Sequence, residues 1–349
     1  KKLSPSVGLR SFDRRPAMHH RDMKTLSLPR PDGFSLRAAS EFYAGFVPGS
    51  GMAAASTDGL VFAFLLDRTY EPVAASLAEG PGSIEVRFVG TQDRDRLAAQ
   101  ISRILGLEAD AEAWIELGRR DAIVGRLQAE FPGFFTAANP SPYDAAVWGI
   151  ISPRISIRAA ARIKMGIAET HGHRLEIEGR VHHVFPSPER LLELSELPSL
   201  PIEKVDRLRG IARAALGGRL DAERLRTMDE ADALAELQTL RGIGPWTASH
   251  ILLRGAAPTD ALPVAEPRIL HGFASVTGLE SPSFESLERA ARSWRPFRMW
   301  VSILLARHLA RAGGWNAPGR SRERRESGER LRKRERSRAR VERVGSNAT

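Results

Sequence analysis

The sequence predicts an α+β protein in which a small antiparallel-sheet domain precedes an all-helical domain, with disordered basic tails at both ends. Short apolar runs of strand character lie between residues 60 and 90, whereas residues 131–315 show helical spacing almost throughout. Both ends are rich in arginine and lack apolar periodicity. We therefore divide the chain into a basic tail (1–40), a sheet-plus-helix domain (41–119), a helical domain (120–318) and an Arg-rich tail (319–349).

The predicted sheet consists of three consecutive runs, LVFAFLL, PVAASLA and SIEVRFVG. The third run alternates apolar Ile84, Val86 and Phe88 with polar Glu85 and Arg87, which is the pattern of a strand with one buried face. The segment EGPGS between the second and third runs predicts a turn. The following DRDRLAAQISRILGL has apolar residues at helical spacing, so we expect at least one helix to pack on the sheet.

The helical domain carries clear start and stop signals. SPYDAAVWGIISPRISIRAAARIK predicts two helices interrupted at Ser152-Pro153, because proline cannot continue a helix and disfavours helical backbone in the residue before it. SPERLLELSE begins with Ser187 as a helix N-cap. PIEKVDRLRGIARAALGGRL predicts an amphipathic helix that ends at Gly217-Gly218.

The composition excludes several classes of protein. The chain has no cysteine, which excludes disulfides, thiolate-bound iron–sulfur clusters and cysteine-based zinc fingers. No apolar run reaches the ~18 residues of a membrane span, so we expect no membrane partner and a cytoplasmic, nucleoid-associated protein. Of the net charge of +10, residues 1–40 contribute +6 and residues 319–349 contribute +7, which leaves −3 for residues 41–318. The body of the protein must therefore bind any polyanion through local geometry.

The segment LQTLRGIGPWTASHILLRG predicts two helices joined by a tight hairpin. One helix ends near Leu240, two glycines bracket Ile243, and Pro245 stands where the next helix can begin. Backbone N–H groups at such a turn lie at a helix N-terminus and can bind an anion such as a DNA phosphate. A purely structural connection between two helices explains the same residues equally well.

Several motifs occur in the same order as in a known superfamily. The hairpin is preceded by SPYDAAVWGIIS and FPSPERL, and it is followed by DALPVAEPRILHGF and WRPFRMWVSILLARHL. This series resembles the helix-hairpin-helix glycosylase superfamily, and in particular the bacterial 3-methyladenine DNA glycosylase II family. The resemblance covers residues 120–315 well and residues 41–119 more weakly. It implies a helical glycosylase core behind a sheet-bearing domain, and a monomer whose partner is double-stranded DNA with a damaged base.

The resemblance also implies one catalytic carboxylate. The family carries an aspartate at the end of a D-x-[FL]-P-x-x-D pattern, and the corresponding residue here is Glu266. Its carboxylate would stabilise positive charge that develops on the deoxyribose. Glutamate is longer by one methylene, roughly 1.5 Å, so Glu266 is either the working acid of an altered pocket or a helix-entry residue stabilised by the helix dipole. Asp260, at the start of the pattern, is a second candidate.

Further site residues follow from the family's positions. The implied base pocket comprises Trp246, His250, Trp148 and Trp300, although tryptophan on an apolar helix is also typical of a core. The implied phosphate-binding turn comprises Gly242, Ile243, Gly244 and Thr247. The wedge that fills the space of an extruded nucleotide corresponds to Arg154 or Pro153. The backbone carbonyls that hold a monovalent cation in the family correspond to Gln238, Leu240 and Ile243.

The resemblance implies a monofunctional DNA glycosylase that excises alkylated purines in base-excision repair by hydrolysing the N-glycosidic bond of a flipped nucleotide. No cofactor is expected. Relatives that also cleave the backbone use a lysine two residues after the second hairpin glycine, where this chain has Trp246, so no Schiff base can form. Two alternatives remain open: a catalytically weak or inactive protein that binds damaged or distorted duplex, and an RNA or nucleoprotein adaptor that binds through residues 319–349.

Overall fold

The computed structural model describes residues 23–45, 53–56, 59–264 and 266–313. Its strands are β1 (Lys24–Pro29), β2 (Ala53–Ser56), β3 (Gly59–Leu65), β4 (Pro72–Gly80), β5 (Ser83–Val89), β6 (His173–Ile177) and β7 (Arg180–Val184). Its first helices are α1 (Leu36–Gly45), α2 (Arg94–Leu105), α3 (Ala111–Arg120), α4 (Ala122–Glu130), α5 (Pro142–Ile151), α6 (Ile157–His171) and α7 (Pro188–Glu193). They are followed by α8 (Ile202–Leu216), α9 (Ala222–Thr227), α10 (Glu230–Gln238), α11 (Pro245–His250), α12 (Pro267–Thr277), α13 (Phe284–Ala291) and α14 (Arg298–Arg311). A π-helical segment, Ile251–Ala256, continues α11.

The first strands form one antiparallel sheet in the order β1-β5-β4-β3-β2. Strand β5 alternates buried and exposed residues as the sequence predicts, with Ile84, Val86 and Phe88 inside. Strands β3 and β4 are buried along most of their length; helix α1 packs against β3, and strands β6 and β7 pack against β4 and β3. Helix α2 follows β5 directly, and it starts at the side-chain cap of Asp93 and ends at the left-handed Gly106.

Helix α5 is the central helix of the second part. All its residues except Asp144 are buried, which is typical of a helix surrounded by other elements. It packs against α6, α8, α11 and the π-helical segment. The predicted interruption at Ser152-Pro153 is confirmed, since α5 ends at Ile151 and α6 starts at Ile157. Helix α11, which follows the predicted Gly-Ile-Gly turn, therefore packs against the almost fully buried helix α5.

The two parts of the chain share a continuous hydrophobic core. Buried Arg103 of α2 crosses between them and donates hydrogen bonds to the carbonyl oxygens of Gly255 and Pro140, each at 2.6 Å, while Asp67 neutralises it at 2.7 Å. Tyr43 of α1 donates to the carbonyl oxygen of Ala138 at 2.8 Å. Arg103 thereby fixes the end of the π-helical segment, which lies beside the site described below.

The structure corrects two predictions about domain organisation. The sequence predicts a disordered tail over residues 1–40, but residues 24–40 contain β1 and the start of α1; β1 forms because it pairs with β5 along its whole length. The region predicted to be all-helical contains the hairpin β6–β7, whose turn has left-handed backbone at Glu178 and Gly179. The predictions for residues 1–22 and 314–349 lie outside the described residues. Within the described ranges no helix has the length and apolar character needed to cross a membrane.

Candidate functional site

The predicted helix–hairpin–helix is confirmed. Helix α10 ends at Gln238 and α11 begins at Pro245. Between them Ile243 is buried and its N–H donates to the carbonyl oxygen of Leu240 at 3.0 Å. Gly242 has a φ of +91°, and a Cβ there would lie 2.7 Å from Cδ of Arg207, so this position requires glycine. The left-handed backbone of Gly242 and its close approach to Arg207 of α8 therefore fix the conformation of the turn.

Gly244 has a different role from Gly242. Its backbone is extended, at φ −92° and ψ 180°, so any residue could adopt it. A Cβ at Gly244 would meet nothing within 4 Å, and α11 has no side-chain cap. The first N–H groups of α11 are thus left without a side-chain partner beside open space, where an anion could approach them.

The side chain of Thr247, a residue predicted to belong to the phosphate-binding turn, does not lie on this open face. It is buried, and a Cβ added at Gly149 of α5 would collide with its methyl group. The Thr247 side chain therefore packs between α11 and α5. A phosphate contact of Thr247 could therefore come only from its backbone N–H in the first turn of α11, and it stays a prediction.

Glu266 lies where the loop after the π-helical segment enters α12, and it faces the hairpin. Its carboxylate accepts hydrogen bonds from the backbone N–H of Arg268 at 3.2 Å and from that guanidinium at 2.9 and 2.8 Å. The indole Nε1 of Trp246 lies 3.4 Å away. Burial would raise the pKa of the Glu266 carboxyl, but the hydrogen bonds and charge of Arg268 outweigh it and hold the pKa below its usual range. The side chain is only 17% exposed and remains ionised.

Two aromatic rings stack beside this carboxylate. Trp246 and His250 are nearly parallel, with 7° between their planes and 5.2 Å between ring centroids. Trp246 is 40% exposed, which is unusual for so large an apolar side chain. The side-chain amide of Asn139 lies 3.3 Å from Nε2 of His250. Burial, together with the positive charges of Arg254 and Arg268, lowers the His250 pKa to about 3, so the imidazole is neutral at physiological pH.

The other two tryptophans predicted for the pocket belong to the core. Trp300 is 2% exposed and packs against the rings of Trp114, Phe135 and Phe297, with centroids between 5.1 and 5.3 Å apart. Trp148 is 4% exposed on the central helix α5. The structure therefore corrects both assignments in favour of packing, since neither ring reaches an open surface.

Asp260, the second candidate carboxylate, has a structural role. It accepts hydrogen bonds from Arg295 at 2.8 Å and from Arg298 at 2.5 Å. Both arginines belong to the WRPFR motif at the start of α14, and the N–H of Met299 donates to the carbonyl oxygen of Thr259 at 3.0 Å. These contacts fasten the loop that precedes Glu266 to α14, so Asp260 positions the loop.

The loop between α5 and α6 carries the predicted wedge. Pro153 and Arg154 are both exposed, and Arg154 has a left-handed φ of +68°, which is rare for a side chain of this size. The ammonium of Lys204 donates to the carbonyl oxygens of Ile151 at 2.6 Å and Pro153 at 3.2 Å. Burial lowers the Lys204 pKa, and the charges of Arg207 and Arg154 lower it further. Lys204 therefore holds this loop through its backbone carbonyls. The positive charges of Arg207 and Arg154 lie close to its ammonium group.

The carbonyls predicted to hold a cation occupy the expected turn. Gln238 is the last residue of α10, and Leu240 and Ile243 bracket the turn. The carbonyl oxygen of Leu240 accepts one hydrogen bond and keeps a second lone pair. The chemistry of these oxygens fits a monovalent cation, and the assignment stays a prediction. In the described ranges, no cluster of three His, Asp or Glu side chains is arranged to hold a metal ion.

Sequence reasoning missed four polar residues of this region. Arg268 lies two residues after Glu266 and pairs with it, Arg254 lies one helical turn after His250, Asn139 contacts His250, and Lys204 holds the wedge loop. The spacing of Arg268 from Glu266 and of Arg254 from His250 was visible in the sequence. Asn139 and Lys204 reach the site only through tertiary packing, so no local pattern could have indicated them.

Two proteins with similar sequences are both DNA-3-methyladenine glycosylases. A DNA-3-methyladenine glycosylase of Bacillus subtilis (strain 168) is 25% identical over 221 residues, covering 62% of this chain and 73% of the relative. DNA-3-methyladenine glycosylase 2 of Escherichia coli (strain K12) is 26% identical over 223 residues, covering 62% of this chain and 72% of the relative. A search of protein-family models found no match.

Solved structures share the fold. A 3-methyladenine DNA-glycosylase from Archaeoglobus fulgidus superposes with a TM-score of 0.66 at 19% identity, over 82% of this chain and 98% of the other. An 8-oxoguanine glycosylase/lyase of Clostridium acetobutylicum, in complex with double-stranded DNA, gives a TM-score of 0.58 at 16% identity, over 81% and 93% of the two chains. The chain shares its fold with these solved glycosylases, and its sequence resembles DNA glycosylases of the helix-hairpin-helix superfamily.

The sequence resembles in particular the bacterial 3-methyladenine DNA glycosylases. The expected resemblance to this superfamily and the expected α+β fold are thereby confirmed.

Proposed function

We propose that this protein is a monofunctional DNA glycosylase of base-excision repair, which hydrolyses the N-glycosidic bond of a flipped, alkylated purine nucleotide in double-stranded DNA and acts as a monomer. Its similarity to two 3-methyladenine DNA glycosylases supports the activity. The observation that carries the proposal is the position of Glu266, a partly buried carboxylate beside the stacked Trp246 and His250 and next to the hairpin.

The chemistry requires little beyond one carboxylate. The bond between C1′ of the deoxyribose and the purine nitrogen breaks, the electron pair leaves with the base, and the sugar becomes an oxocarbenium ion. Glu266, ionised in the site, stabilises this positive charge and orients a water molecule that adds to C1′. The face of Trp246 offers a stacking surface for the extruded base.

Two neighbouring features would hold the duplex. The open N-terminus of α11 at Gly244 binds a phosphate through backbone N–H groups, with Gly242 setting the turn. Arg154, presented on the loop held by Lys204, enters the space that the extruded nucleotide leaves. The absence of a lysine at position 246 supports hydrolysis without strand cleavage.

The test is single-turnover release of base from duplexes that contain 3-methyladenine, 7-methylguanine or hypoxanthine. Glu266→Gln should lower the rate at least about a hundredfold, since one such electrostatic contact is worth roughly 10²–10³ in rate. Glu266→Asp should retain partial activity. Glu285→Gln on exposed α13, which also removes an acid paired with an arginine, serves as the matched control and should leave the rate unchanged.

A second candidate function is recognition of damaged or distorted duplex without catalysis. The observation that favours it is the pairing of Glu266 with Arg268, whose guanidinium donates two hydrogen bonds to the carboxylate. This pairing compensates the negative charge that catalysis would need. Equal inactivity of the wild type, Glu266→Gln and Glu266→Asp, together with tight binding to a duplex that contains an abasic site, would support this function over the enzyme.

A further inference from the structure

Arg207 of helix α8 lies beside the hairpin turn without an anionic partner. A Cβ at Gly242 would lie 2.7 Å from Cδ of Arg207 and 3.2 Å from its Nε, so the turn packs directly on this side chain. The Nε atom is buried, and in the part of the chain that the structure describes it meets no hydrogen-bond acceptor. Among the same described residues no carboxylate forms an ion pair with Arg207. The guanidinium can therefore take an anion from outside the protein.

Helix α8 also brings Arg207 close to the wedge loop, the connection between α5 and α6 that carries Arg154. Lys204, three residues before Arg207, donates to the carbonyl oxygens of Ile151 at 2.6 Å and Pro153 at 3.2 Å. Burial lowers the pKa of Lys204, and the charges of Arg207 and then of Arg154 lower it further, so the three cations lie close together. Arg207 thus lies between the hairpin turn and the wedge loop.

This concentration of positive charge differs from the rest of the body of the protein. Residues 41–318 carry a net charge of −3, since the two ends contribute +6 and +7 to the total of +10. Arg219, which follows α8, pairs with Glu236 at 3.1 Å. By contrast, the charges that act on the Lys204 ammonium are positive ones, and like charges held together repel one another. An anion that binds between the hairpin turn and the wedge loop would remove this repulsion.

A phosphate group has the chemistry that this position requires. Hydrogen bonds between a guanidinium and a phosphate are shorter and stronger than those between neutral groups. Because the Nε of Arg207 is buried beside Gly242, an anion can reach this guanidinium only through its terminal nitrogens. The buried part of the side chain holds the guanidinium in place, so little side-chain freedom is lost when a phosphate binds.

We infer that Arg207 binds a phosphodiester of the DNA backbone between the hairpin and the wedge loop, through the terminal nitrogens of its guanidinium. The inference rests on the proposed function, which brings both elements to the same duplex, and it adds a side-chain contact to that duplex. The phosphate lies within a few nucleotides of the extruded one, because Arg154 marks the place that this nucleotide leaves. A phosphate contact reads no base, so Arg207 should strengthen binding to damaged and undamaged duplex alike.

The first measurement is the salt dependence of duplex binding by the full chain. Arg207→Met keeps an apolar stem against Gly242 and removes the charge. Fluorescence anisotropy with a duplex that contains a tetrahydrofuran abasic site should show an affinity about tenfold weaker at low salt. The slope of log K against log salt concentration should become shallower by about 0.9, the value for one lost phosphate contact. Arg207→Lys keeps the charge and should keep the slope.

The second measurement locates the phosphate. Each phosphodiester within three nucleotides of the abasic site is replaced in turn by a neutral methylphosphonate, and wild type and Arg207→Met are compared on every duplex. At one or two positions the replacement should weaken binding by the wild type about tenfold and leave binding by Arg207→Met nearly unchanged. Arg213→Met, which removes an exposed arginine farther along the same helix, is the matched control and should behave as wild type at those positions.

An unchanged salt slope in Arg207→Met overturns the inference, and so does an equal response of Arg207→Met and wild type at every methylphosphonate position. Neither result bears on base release, which Glu266→Gln tests separately. If the wild type releases no base but the methylphosphonate result for Arg207 holds, the proposed glycosylase function is overturned and Arg207 stays a phosphate contact of a duplex-binding protein.

Discussion

Replacing Lys204 by methionine should loosen the loop that carries Arg154. The Lys204 ammonium donates two hydrogen bonds to this loop, to the carbonyl oxygens of Ile151 at 2.6 Å and Pro153 at 3.2 Å. Hydrogen bonds from charged groups contribute about 1.5–3 kcal/mol. Desolvation and the nearby charges of Arg207 and Arg154 offset part of this, as the lowered pKa of Lys204 indicates. We therefore expect a net effect of about 1 kcal/mol.

That effect should appear in binding to a damaged duplex. If the loop must hold Arg154 in its left-handed conformation for the side chain to enter the duplex, a loss of about 1 kcal/mol corresponds to a roughly fivefold weaker affinity. Fluorescence anisotropy with a duplex that contains a tetrahydrofuran abasic site, at fixed salt, measures it. The affinity for an undamaged duplex should change less, because no base is missing from its base stack and Arg154 has no space to enter.

Two controls separate loop positioning from the loss of a positive charge. Arg213→Met removes an exposed positive charge from the same helix without touching the loop. Lys204→Arg retains a cationic donor and should recover most of the affinity. Equal weakening by Lys204→Met and Arg213→Met, on damaged and undamaged duplex alike, would refute the positioning role and reduce Lys204 to a general electrostatic contact.

Three further predictions concern stability and the site. Unfolded histidine binds a proton near pH 6.5 and folded His250 only near pH 3, so the free energy of unfolding should decrease as the pH is lowered from 6.5 to 3, by at most about 1.4 kcal/mol per pH unit. His250→Phe should reduce this slope in thermal melts. Gly242→Ala should destabilise the fold by more than about 1 kcal/mol in urea titrations, whereas Gly244→Ala should change stability little and weaken duplex binding. Trp300→Ala should cost about 3–5 kcal/mol in the same titrations, whereas Trp246→Ala should mainly reduce base release.

The hairpin could be predicted from sequence because its signals are local. A left-handed glycine, a buried residue after it and a proline at the start of the next helix are all visible within a few residues. The same is true of the interruption between α5 and α6 and of the N-cap Ser187. Each of these elements is specified by backbone chemistry that does not depend on distant neighbours.

The errors have a common physical origin in long-range contacts. Strand β1 is stabilised by pairing with β5, more than fifty residues later in the chain, so its own sequence carries a weak signal. Trp300 and Trp148 could be assigned to a core or a pocket only after the packing around them was known. The partnership of Glu266 with Arg268 was missed because a motif records residue types and not which side chains pair.

The position of Glu266 bears most of the functional interpretation, and one measurement tests it directly. Single-turnover release of base from a duplex that contains a damaged purine should fall at least about a hundredfold in Glu266→Gln, while binding to an abasic duplex should stay within a few-fold of wild type. Unchanged base release in that variant would contradict catalysis by Glu266, because the amide cannot supply the negative charge that an oxocarbenium ion requires.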